Sequence, residues 1–400
     1  MSNLKYWVWL SALRGLGGST ALELLHQFGS PESLYYADQE ELRQAGLDGR
    51  TLAAVEDRSL SETDRILGEC DRLGLRILTI QDTEYPDRLK NIYDPPLLLY
   101  VQGRLPLFDE EVALAMVGTR DCSAYGITAA ETMSHSLAKQ GALIVSGLAK
   151  GIDAAAHRGT LRAGGVTAAV LGNGHDVIYP PENRSLYADI AAAGVILSEY
   201  PPGTRPEGKH FPVRNRIISG LCLGTVIVEA PRRSGALITA ELALEQGRDV
   251  FAVPGPIDSP ASAGCNRLIR DGAFLAADSW DILREYVGRY PHKLTAQAVE
   301  PIQPLETEPP APSSRRRAKE EPAEEAAPAL PVLDLSVDHG LTDDQMAILR
   351  ALEGEMQVDD IIEVTQIPAR RVLSALTLLE LENYVTQSSG KRFSLQVTLQ

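Results

Sequence analysis

The stretch VALAMVGTRDCSAYGITAAETMSHSLAKQGALIVSGLAKGID, residues 112–153, decides the fold. It joins two short apolar runs, VALAMV (112–117) and ALIVS (142–146), through an Ala-rich amphipathic segment. Apolar character without alternation predicts strands that are buried on both faces, which is typical of a parallel sheet between two layers of helices. The stretch therefore predicts a strand, a helix and a second, parallel strand.

Six further runs of the same kind extend this unit in both directions. They are LRILTI (75–80), LLLYV (97–101), TAAVL (167–171), VILSE (195–199), TVIVEA (225–230) and DVFAVP (249–254). Most are separated by amphipathic, Ala-rich segments that predict helices. Residues 75–288 are therefore interpreted as an α/β domain with a Rossmann-like, doubly wound and mostly parallel sheet.

Residues 1–74 predict a small helical domain. In LSALRGLGGSTALELLHQFGS (10–30) the leucines recur at helical spacing, and Gly15, Gly17 and Gly18 interrupt them as a tight turn. Two short helices around such a turn resemble a helix-hairpin-helix or SAM-like domain, whose backbone amides can hold a DNA phosphate. The alternative is a helical packing module with a glycine turn. Arg14 is the only lysine or arginine that flanks the turn, which weakens the DNA-binding interpretation.

The C-terminal third predicts a linker and a further domain. Residues 289–335 are rich in proline and in charge blocks, which predicts a disordered linker. Its Arg315–Arg317 run is interpreted as solvated linker charge, with a phosphate contact as the alternative. Residues 336–400 predict three helices and a hairpin that turns at Ser388–Gly390, and they resemble a winged helix.

A winged helix normally reads the major groove through its last helix, here residues 369–383. That segment carries the cations Arg370 and Arg371 together with Glu380 and Glu382. Acidic helices repel duplex DNA. A contact with a protein, or packing within the chain, is therefore favoured over the reading of base pairs.

Composition excludes several classes of protein. The 400 residues hold 44% apolar and 23% charged residues with a net charge of −16, which argues against wholesale disorder. No apolar run reaches the ~18–20 residues of a membrane span, and the N-terminal apolar stretch is too short for a secretion signal. Four dispersed cysteines predict reduced thiols and no zinc site. We expect a cytoplasmic protein.

The residues that directly follow the predicted strands are the candidate binding residues. In a doubly wound sheet, ligands bind beyond the carboxyl ends of the strands, and there this chain places glycines and cations. Glycines allow a backbone to approach an anion closely, and helix N-termini attract negative charge. The pattern predicts a phosphate-binding edge, although neither a GxxxxGK[ST] loop nor a GxGxxG fingerprint occurs.

An aromatic residue stands among these cations. The segment HFPVRNRIIS sets Phe211 beside Lys209, Arg214 and Arg216. Cations for the backbone and a ring for a base are what single-stranded nucleic acid requires. An ordinary core position for Phe211 is the alternative.

Six segments together resemble one family. They are GTRDCSAYG (118–126), SGLAKGIDAAAHRGTL (146–161), TAAVLGNGHDVIYPPEN (167–183), ILSEYPPGTRPEGKHFPVRNRIISGL (196–221), VIVEAPRRSGALITAELALEQGRDVFAVPG (226–255) and GCNRLIRDGA (264–273). They resemble the DprA/Smf family of DNA-processing proteins, whose accessory domains are similar to the flanking segments.

The resemblance implies a non-enzymatic protein without a cofactor. It would bind single-stranded DNA without sequence preference, form a homodimer through its Rossmann-like domain and load the RecA recombinase during natural transformation. Strand ends and resemblance together predict a nucleic-acid site of Gly118, Thr119, Arg120, Ser146, Gly147, Lys150, Gly172, Lys209, Phe211, Arg214, Asn215, Arg216, Arg232, Ser234 and Gly235.

Two alternatives belong to other classes. The core is distantly similar to lysine-decarboxylase-like enzymes that bind or cleave nucleotides, with Glu199 and Glu229 as candidate acid or base. Their PGGxGTxxE motif is replaced here by Pro231–Gly235, followed by Thr239 and Glu241, which breaks the glycine cradle. A transcription factor that binds duplex DNA through residues 336–400 is the third hypothesis.

Overall fold

The computed structural model describes residues 3–13, 16–47, 49–294, 332–333, 341–352, 354, 356–381, 384–388 and 392–399. The chain forms two compact units, Met1–Pro309 and Pro310–Gln400. Most of the predicted linker, including Arg315–Arg317, lies outside the described residues.

Among its described residues, the first unit contains fourteen α-helices and nine strands. The helices are α1 (Leu4–Ala12), α2 (Gly18–Phe28), α3 (Pro31–Tyr36), α4 (Gln39–Gln44), α5 (Gly49–Glu56), α6 (Ser61–Leu73), α7 (Asp87–Lys90), α8 (Ala124–Lys139), α9 (Ile152–Arg162), α10 (Arg184–Ala193), α11 (His210–Gly220), α12 (Gly235–Glu245), α13 (Ala263–Arg270) and α14 (Ser279–Leu283). The strands are β1 (Arg76–Thr79), β2 (Leu98–Gly103), β3 (Ala113–Val117), β4 (Leu143–Ser146), β5 (Thr167–Leu171), β6 (Val195–Ser198), β7 (Gly224–Ile227), β8 (Asp249–Ala252) and β9 (Phe274–Leu275).

All nine strands belong to one sheet, in the order β1-β2-β6-β5-β4-β3-β7-β8-β9. Strands β3 to β9 run parallel to one another, and β2 pairs antiparallel with both β1 and β6. The chain leaves β3 towards β4, β5 and β6, then returns to β7 on its other side. The predicted doubly wound, mostly parallel sheet is confirmed, and its topological switch point lies between β3 and β7.

Burial on both faces of the sheet explains its apolar strands. Along β3, Ala113 and Ala115 belong to the hydrophobic core on one face, whereas Leu114 and Met116 belong to the core on the other. Successive side chains of a strand point to opposite faces, so a strand covered on both sides must be apolar throughout. The eight predicted strands are present, and the short edge strand β9 adds a ninth.

Helices α1 to α6 lie in the predicted helical segment, and they share a hydrophobic core with one face of the sheet. Trp7, Trp9 and Leu10 of α1 belong to the same buried cluster as Leu99 and Tyr100 of β2. The boundary at residue 74 between two domains remains a prediction. Arg14 and Gly15 of the glycine turn lie outside the described residues.

Asp94 occupies the N-terminus of α2. Its Oδ1 accepts a hydrogen bond of 3.2 Å from the backbone amide of Ser19. A side chain at Gly18 would approach Asp94 Oδ1 to 2.5 Å and the carbonyl oxygen of Pro95 to 2.7 Å. The amide that could have held a phosphate is therefore bonded to a carboxylate of the chain itself, which favours the packing interpretation of the glycine turn.

The second unit contains α15 (Asp343–Ala351), α16 (Val358–Thr365) and α17 (Ala369–Leu381), with strands β10 (Val332–Leu333), β11 (Met356–Gln357), β12 (Val385–Ser388), β13 (Arg392–Leu395) and β14 (Thr398–Leu399). Strand β13 pairs antiparallel with β11 and β12, which forms the wing. The predicted winged helix is confirmed. Ser389 and Gly390 of the predicted hairpin turn lie outside the described residues.

Gly18 supplies a test of the contact between α2 and residues 94–95. We expect Gly18→Ala to lower the free energy of unfolding by about 1–3 kcal/mol, because the new methyl group meets a backbone carbonyl that cannot withdraw freely. Gly68→Ala in α6 is the control: its methyl group has open space around it and should stabilise the helix by roughly 0.5–1 kcal/mol. Urea unfolding of both variants measures the difference, and equal stabilities would contradict the contact.

Candidate functional site

A cleft of about 630 Å³ opens at the carboxyl ends of the central strands. Loops after β3 and β7 line it together with the first turns of α11 and α12. Eight of the residues predicted from the sequence lie in its wall: Gly118, Thr119, Arg120, Phe211, Arg214, Asn215, Ser234 and Gly235. The switch point of the sheet and the predicted residues thus coincide.

The exposed Arg120 and the half-buried Phe211 lie in contact in the wall of the cleft. The guanidinium carbon of Arg120 lies 4.8 Å from the centroid of the Phe211 ring, which is a cation–π distance. Gly172, at the end of β5, lies against the same ring, since a Cβ at this position would be 3.0 Å from Phe211 Cδ1. A side chain at position 172 would require the Phe211 ring to shift.

The side chain of Arg214, a residue of α11, is buried rather than exposed to solvent. It is 3% exposed and donates hydrogen bonds to the carbonyl oxygens of Val170 and, at 2.8 Å, Gly147. Burial lowers its pKa to about 10, although its attraction to Asp153 opposes the shift. Gly147 has no room for a side chain, because a Cβ there would lie 2.5 Å from the Arg214 guanidinium. Arg214 therefore joins α11 to the ends of β4 and β5.

The backbone amides after β4 bind a carboxylate of the chain. Asp153 Oδ2 accepts hydrogen bonds from the amides of Gly147 (3.2 Å) and Ala149 (3.4 Å). Burial raises the pKa of Asp153, and its attraction to Arg214 limits that rise. Ser146 is also engaged internally, since its hydroxyl donates to the carbonyl oxygen of Met116 at 2.6 Å. This part of the predicted phosphate edge is occupied by the protein itself.

Arg216, which is buried, projects from the other side of α11 into an ion-pair network with two partly exposed carboxylates. Its Nη1 and Nη2 atoms donate to the two carboxylate oxygens of Glu199 at 2.8 and 2.7 Å. Its Nε atom lies 3.2 Å from Asp94 Oδ2. Burial disfavours its charge, but Glu199 and Asp94 hold the pKa of Arg216 above its usual value. The network connects α11 with β6 and, through Asp94, with the N-terminus of α2.

Two predicted lysines lie outside the wall of the cleft, each with an acidic neighbour. Lys150 pairs with Glu182, and Lys209 Nζ lies 2.8 Å from Glu207 Oε2. Both pairs are solvent-exposed, and exposed ion pairs exchange readily with other partners. These lysines remain able to contact a phosphate, in competition with their glutamates.

The loop after β7 supplies the remaining cations. Arg233 lines the cleft next to Ser234, whose hydroxyl accepts a hydrogen bond of 3.3 Å from the amide of Ala236 at the start of α12. Arg232 faces a neighbouring groove with Arg267 and Arg270. The predicted residue Arg232 thus lies beside the cleft, while Arg233 takes the place in its wall.

Tyr179 also lines the cleft, and the sequence-based set does not contain it. It lies in the loop that follows β5, so the rule that selected the other strand ends could have selected it.

The winged helix has little free positive charge on its last helix. In the described part of α17, Arg370 and Arg371 are the cations. The Nε and Nη2 atoms of Arg371 each donate to the Asp344 carboxylate at 2.7 Å. Arg370 is left as the one α17 cation outside an ion pair of the described residues, which is a poor basis for holding duplex phosphates.

Other kinds of site find no support in the described ranges. They contain no group of three or more His, Cys, Asp or Glu side chains that could hold a metal ion. Cys70, Cys122, Cys222 and Cys265 are free thiols, and all but Cys122 are buried. Within the same ranges, no helix has the length and apolar character of a membrane span.

Fold and site together define a Rossmann-like α/β protein with a cation-lined cleft at the switch point and a winged-helix unit. The sequence model of the DNA recombination-mediator protein A family matches residues 76–287. The sequence model of the DprA winged helix domain matches residues 316–391. The chain belongs to the DNA recombination-mediator protein A (DprA/Smf) family, and the resemblance seen in the sequence is confirmed.

Individual relatives agree with this assignment. Protein Smf of Synechocystis sp. is 35% identical over 409 residues, which cover 98% of each chain. DNA processing protein DprA of Streptococcus pneumoniae is 49% identical over 208 residues, or 52% of this chain and 73% of the relative. An X-ray structure of the Streptococcus pneumoniae protein superposes with a TM-score of 0.62 and 38% identity, covering 70% of this chain and 97% of the other.

The position of Arg214 supplies a test of its internal role. We expect Arg214→Met to lower the free energy of unfolding by about 3–5 kcal/mol, because it leaves the buried Asp153 carboxylate without its counter-charge. Adding Asp153→Asn should recover part of the loss, since the double variant buries no unpaired charge. Denaturant unfolding of the three variants provides the measurement. Unchanged stability of Arg214→Met would instead place Arg214 on the ligand side of the cleft.

Proposed function

We propose that the protein binds single-stranded DNA without sequence preference through the cleft at the carboxyl ends of β3, β4 and β7. One observation carries the proposal: Arg120 and Arg233 are exposed residues of the cleft wall, Arg120 lies on the Phe211 ring, and neither arginine belongs to an ion pair among the described residues. Cations able to pair with phosphates next to a ring able to stack on any base are the general requirements of a single-strand site.

The form of the cleft favours single strands over duplex. Its volume of about 630 Å³ lies within the range of pockets for individual small ligands, about 300–1,000 Å³. It is thus large enough to hold a nucleotide. Bases in a duplex are paired and stacked, so they present no free face to a ring, whereas those of a single strand do.

The structure favours binding over nucleotide cleavage. Glu199 holds both of its carboxylate oxygens on Arg216. Glu229 is buried, and it accepts hydrogen bonds from the amide (2.8 Å) and the hydroxyl (2.7 Å) of Ser123. Neither glutamate lines the cleft, so both candidate acid–base groups serve the fold. We propose a non-enzymatic role, and release of free base from nucleoside monophosphates would contradict it.

The role in the cell follows from the family rather than from the cleft. We propose that this cytoplasmic protein loads RecA onto incoming single-stranded DNA during natural transformation, in agreement with a family described as recombination mediators. We also propose a homodimer through the Rossmann-like unit. The winged helix would contact protein, because its last helix offers little charge to duplex DNA.

By their positions, the residues predicted to contact DNA form two groups. Gly118, Thr119, Arg120, Phe211, Asn215, Ser234 and Gly235 line the cleft, and Lys150, Lys209 and Arg232 lie outside its wall with exposed side chains. We propose these as the residues that contact DNA. Ser146, Gly147, Gly172, Arg214 and Arg216 shape the cleft from within.

Binding of fluorescent oligonucleotides at two salt concentrations tests the function. We expect tight binding of oligo(dT), weaker binding of duplex, and a decrease of the salt slope by about one contact, roughly 0.7, in Arg120→Ala. Phe211→Ala should weaken binding by about 1–3 kcal/mol with an unchanged salt slope, because a ring carries no charge. Arg104→Ala is the matched control, since this exposed arginine follows β2 at the amino edge of the parallel strands.

Three results would contradict these expectations. Equal affinity for duplex and single strands would exclude a single-strand site. An equal change of slope in Arg104→Ala and Arg120→Ala would show that Arg120 acts only through net charge. A lower melting temperature of Phe211→Ala with unchanged affinity of the folded protein would show that the ring serves the core.

A further inference from the structure

Tyr179 presents an exposed ring in the wall of the cleft. The residue is 39% exposed. Its ring centroid lies 5.7 Å from that of Phe211, and the two planes are inclined by 36°. The distance is that of an offset aromatic pair. Two rings, of which the sequence indicated one, are therefore available at the same place.

Phe211 is the more enclosed of the two rings. Gly172 lies in contact with its edge, and the guanidinium carbons of Arg120 and Arg214 lie 4.8 and 5.9 Å from its centroid. A base that stacks on Phe211 must share the ring with these groups. Tyr179 packs against Phe211 and extends further into solvent, so its ring is easier for an incoming base to reach.

Positive charge lies close to Tyr179 as well. The exposed Lys150 directly follows Ala149, which lines the same cleft as Tyr179. Arg120 lies on the neighbouring Phe211 ring. A nucleotide whose base lies on Tyr179 would therefore have cations near its phosphates.

We infer that Tyr179 is a stacking platform for a base of bound single-stranded DNA and that Phe211 supports the Tyr179 ring from within the cleft. The inference rests on the proposed function and assigns the base contact to a specific residue. Because stacking uses only the face of the ring, the contact is independent of base identity and of the tyrosine hydroxyl.

Two ligands and three variants test the inference. The ligands are oligo(dT) and an abasic sugar–phosphate strand of equal length, and the variants are Tyr179→Ala, Tyr179→Phe and the control Tyr93→Ala, whose tyrosine is 90% exposed. We expect Tyr179→Ala to weaken binding of oligo(dT) about 10-fold without changing the salt slope. Tyr179→Phe should bind as the unaltered protein does, and all three variants should bind the abasic strand equally.

Two results would overturn the inference. Tyr179→Ala could match Tyr93→Ala on oligo(dT), which would remove Tyr179 from the site. It could also lose affinity equally for oligo(dT) and the abasic strand, which would show a purely structural effect. Either result is distinct from failure of the proposed function, in which the unaltered protein would not prefer oligo(dT) to duplex.

A fluorescent variant keeps the inference testable if Tyr179→Ala is unstable. In Tyr179→Trp the new indole should be quenched when oligo(dT) is added and not when the abasic strand is added. Tyr93→Trp is the control, because it shows how the fluorescence of the three native tryptophans and of a tryptophan outside the cleft responds to the same ligands. Equal responses of the two tryptophan variants to oligo(dT) would overturn the inference.

Discussion

The buried guanidinium of Arg214 is the interaction on which the cleft depends. It donates to the carbonyl oxygens of Gly147 and Val170, at the ends of β4 and β5, and it balances the charge of Asp153. Buried charges are tolerated only when they are paired and hydrogen-bonded. The position of α11 is therefore constrained to one in which the Arg214 guanidinium keeps these hydrogen bonds and its attraction to Asp153. That position sets Phe211, one helical turn earlier, in the wall of the cleft.

Arg216 fixes the opposite side of the same helix. Its pairing with Glu199 and Asp94 prevents α11 from rotating, and Asp94 extends the network to the N-terminus of α2 through the Ser19 amide. The helical segment thus contributes to the geometry of the cleft without lining it. Residues of one chemical type are divided between two tasks: the inner arginines hold the helix, while Arg120 and Arg233 remain available to a phosphate. This division explains how a protein with a net charge of −16 can attract an anion locally.

The sequence predicted the sheet because strands buried on both faces must be apolar throughout, as VALAMV is. It also predicted that glycines and cations meet at one edge of the sheet, because the carboxyl ends of parallel strands lie together, and eight of the predicted residues line one cleft there. It could not predict which arginines are buried. The partners of Arg216 lie 17 and 122 residues away along the chain, and only the tertiary fold brings them together. For the same reason the sequence did not show that the Gly147 amide is taken by Asp153. Tyr179 could have been found, since it follows β5, but the distance between its ring and Phe211 is a property of the folded chain.

Ultraviolet crosslinking of oligo(dT) to the full chain, with mass-spectrometric location of the adducts, tests most directly whether this cleft receives the strand. If α11 presents the single-strand site, the adducts will fall on peptides that contain Tyr179 and Phe211, and an excess of unlabelled oligo(dT) will suppress them. Adducts confined to α17 of the winged helix, or to α1 and α2, with none at Tyr179 or Phe211, would contradict the assignment of DNA binding to the carboxyl edge of the sheet.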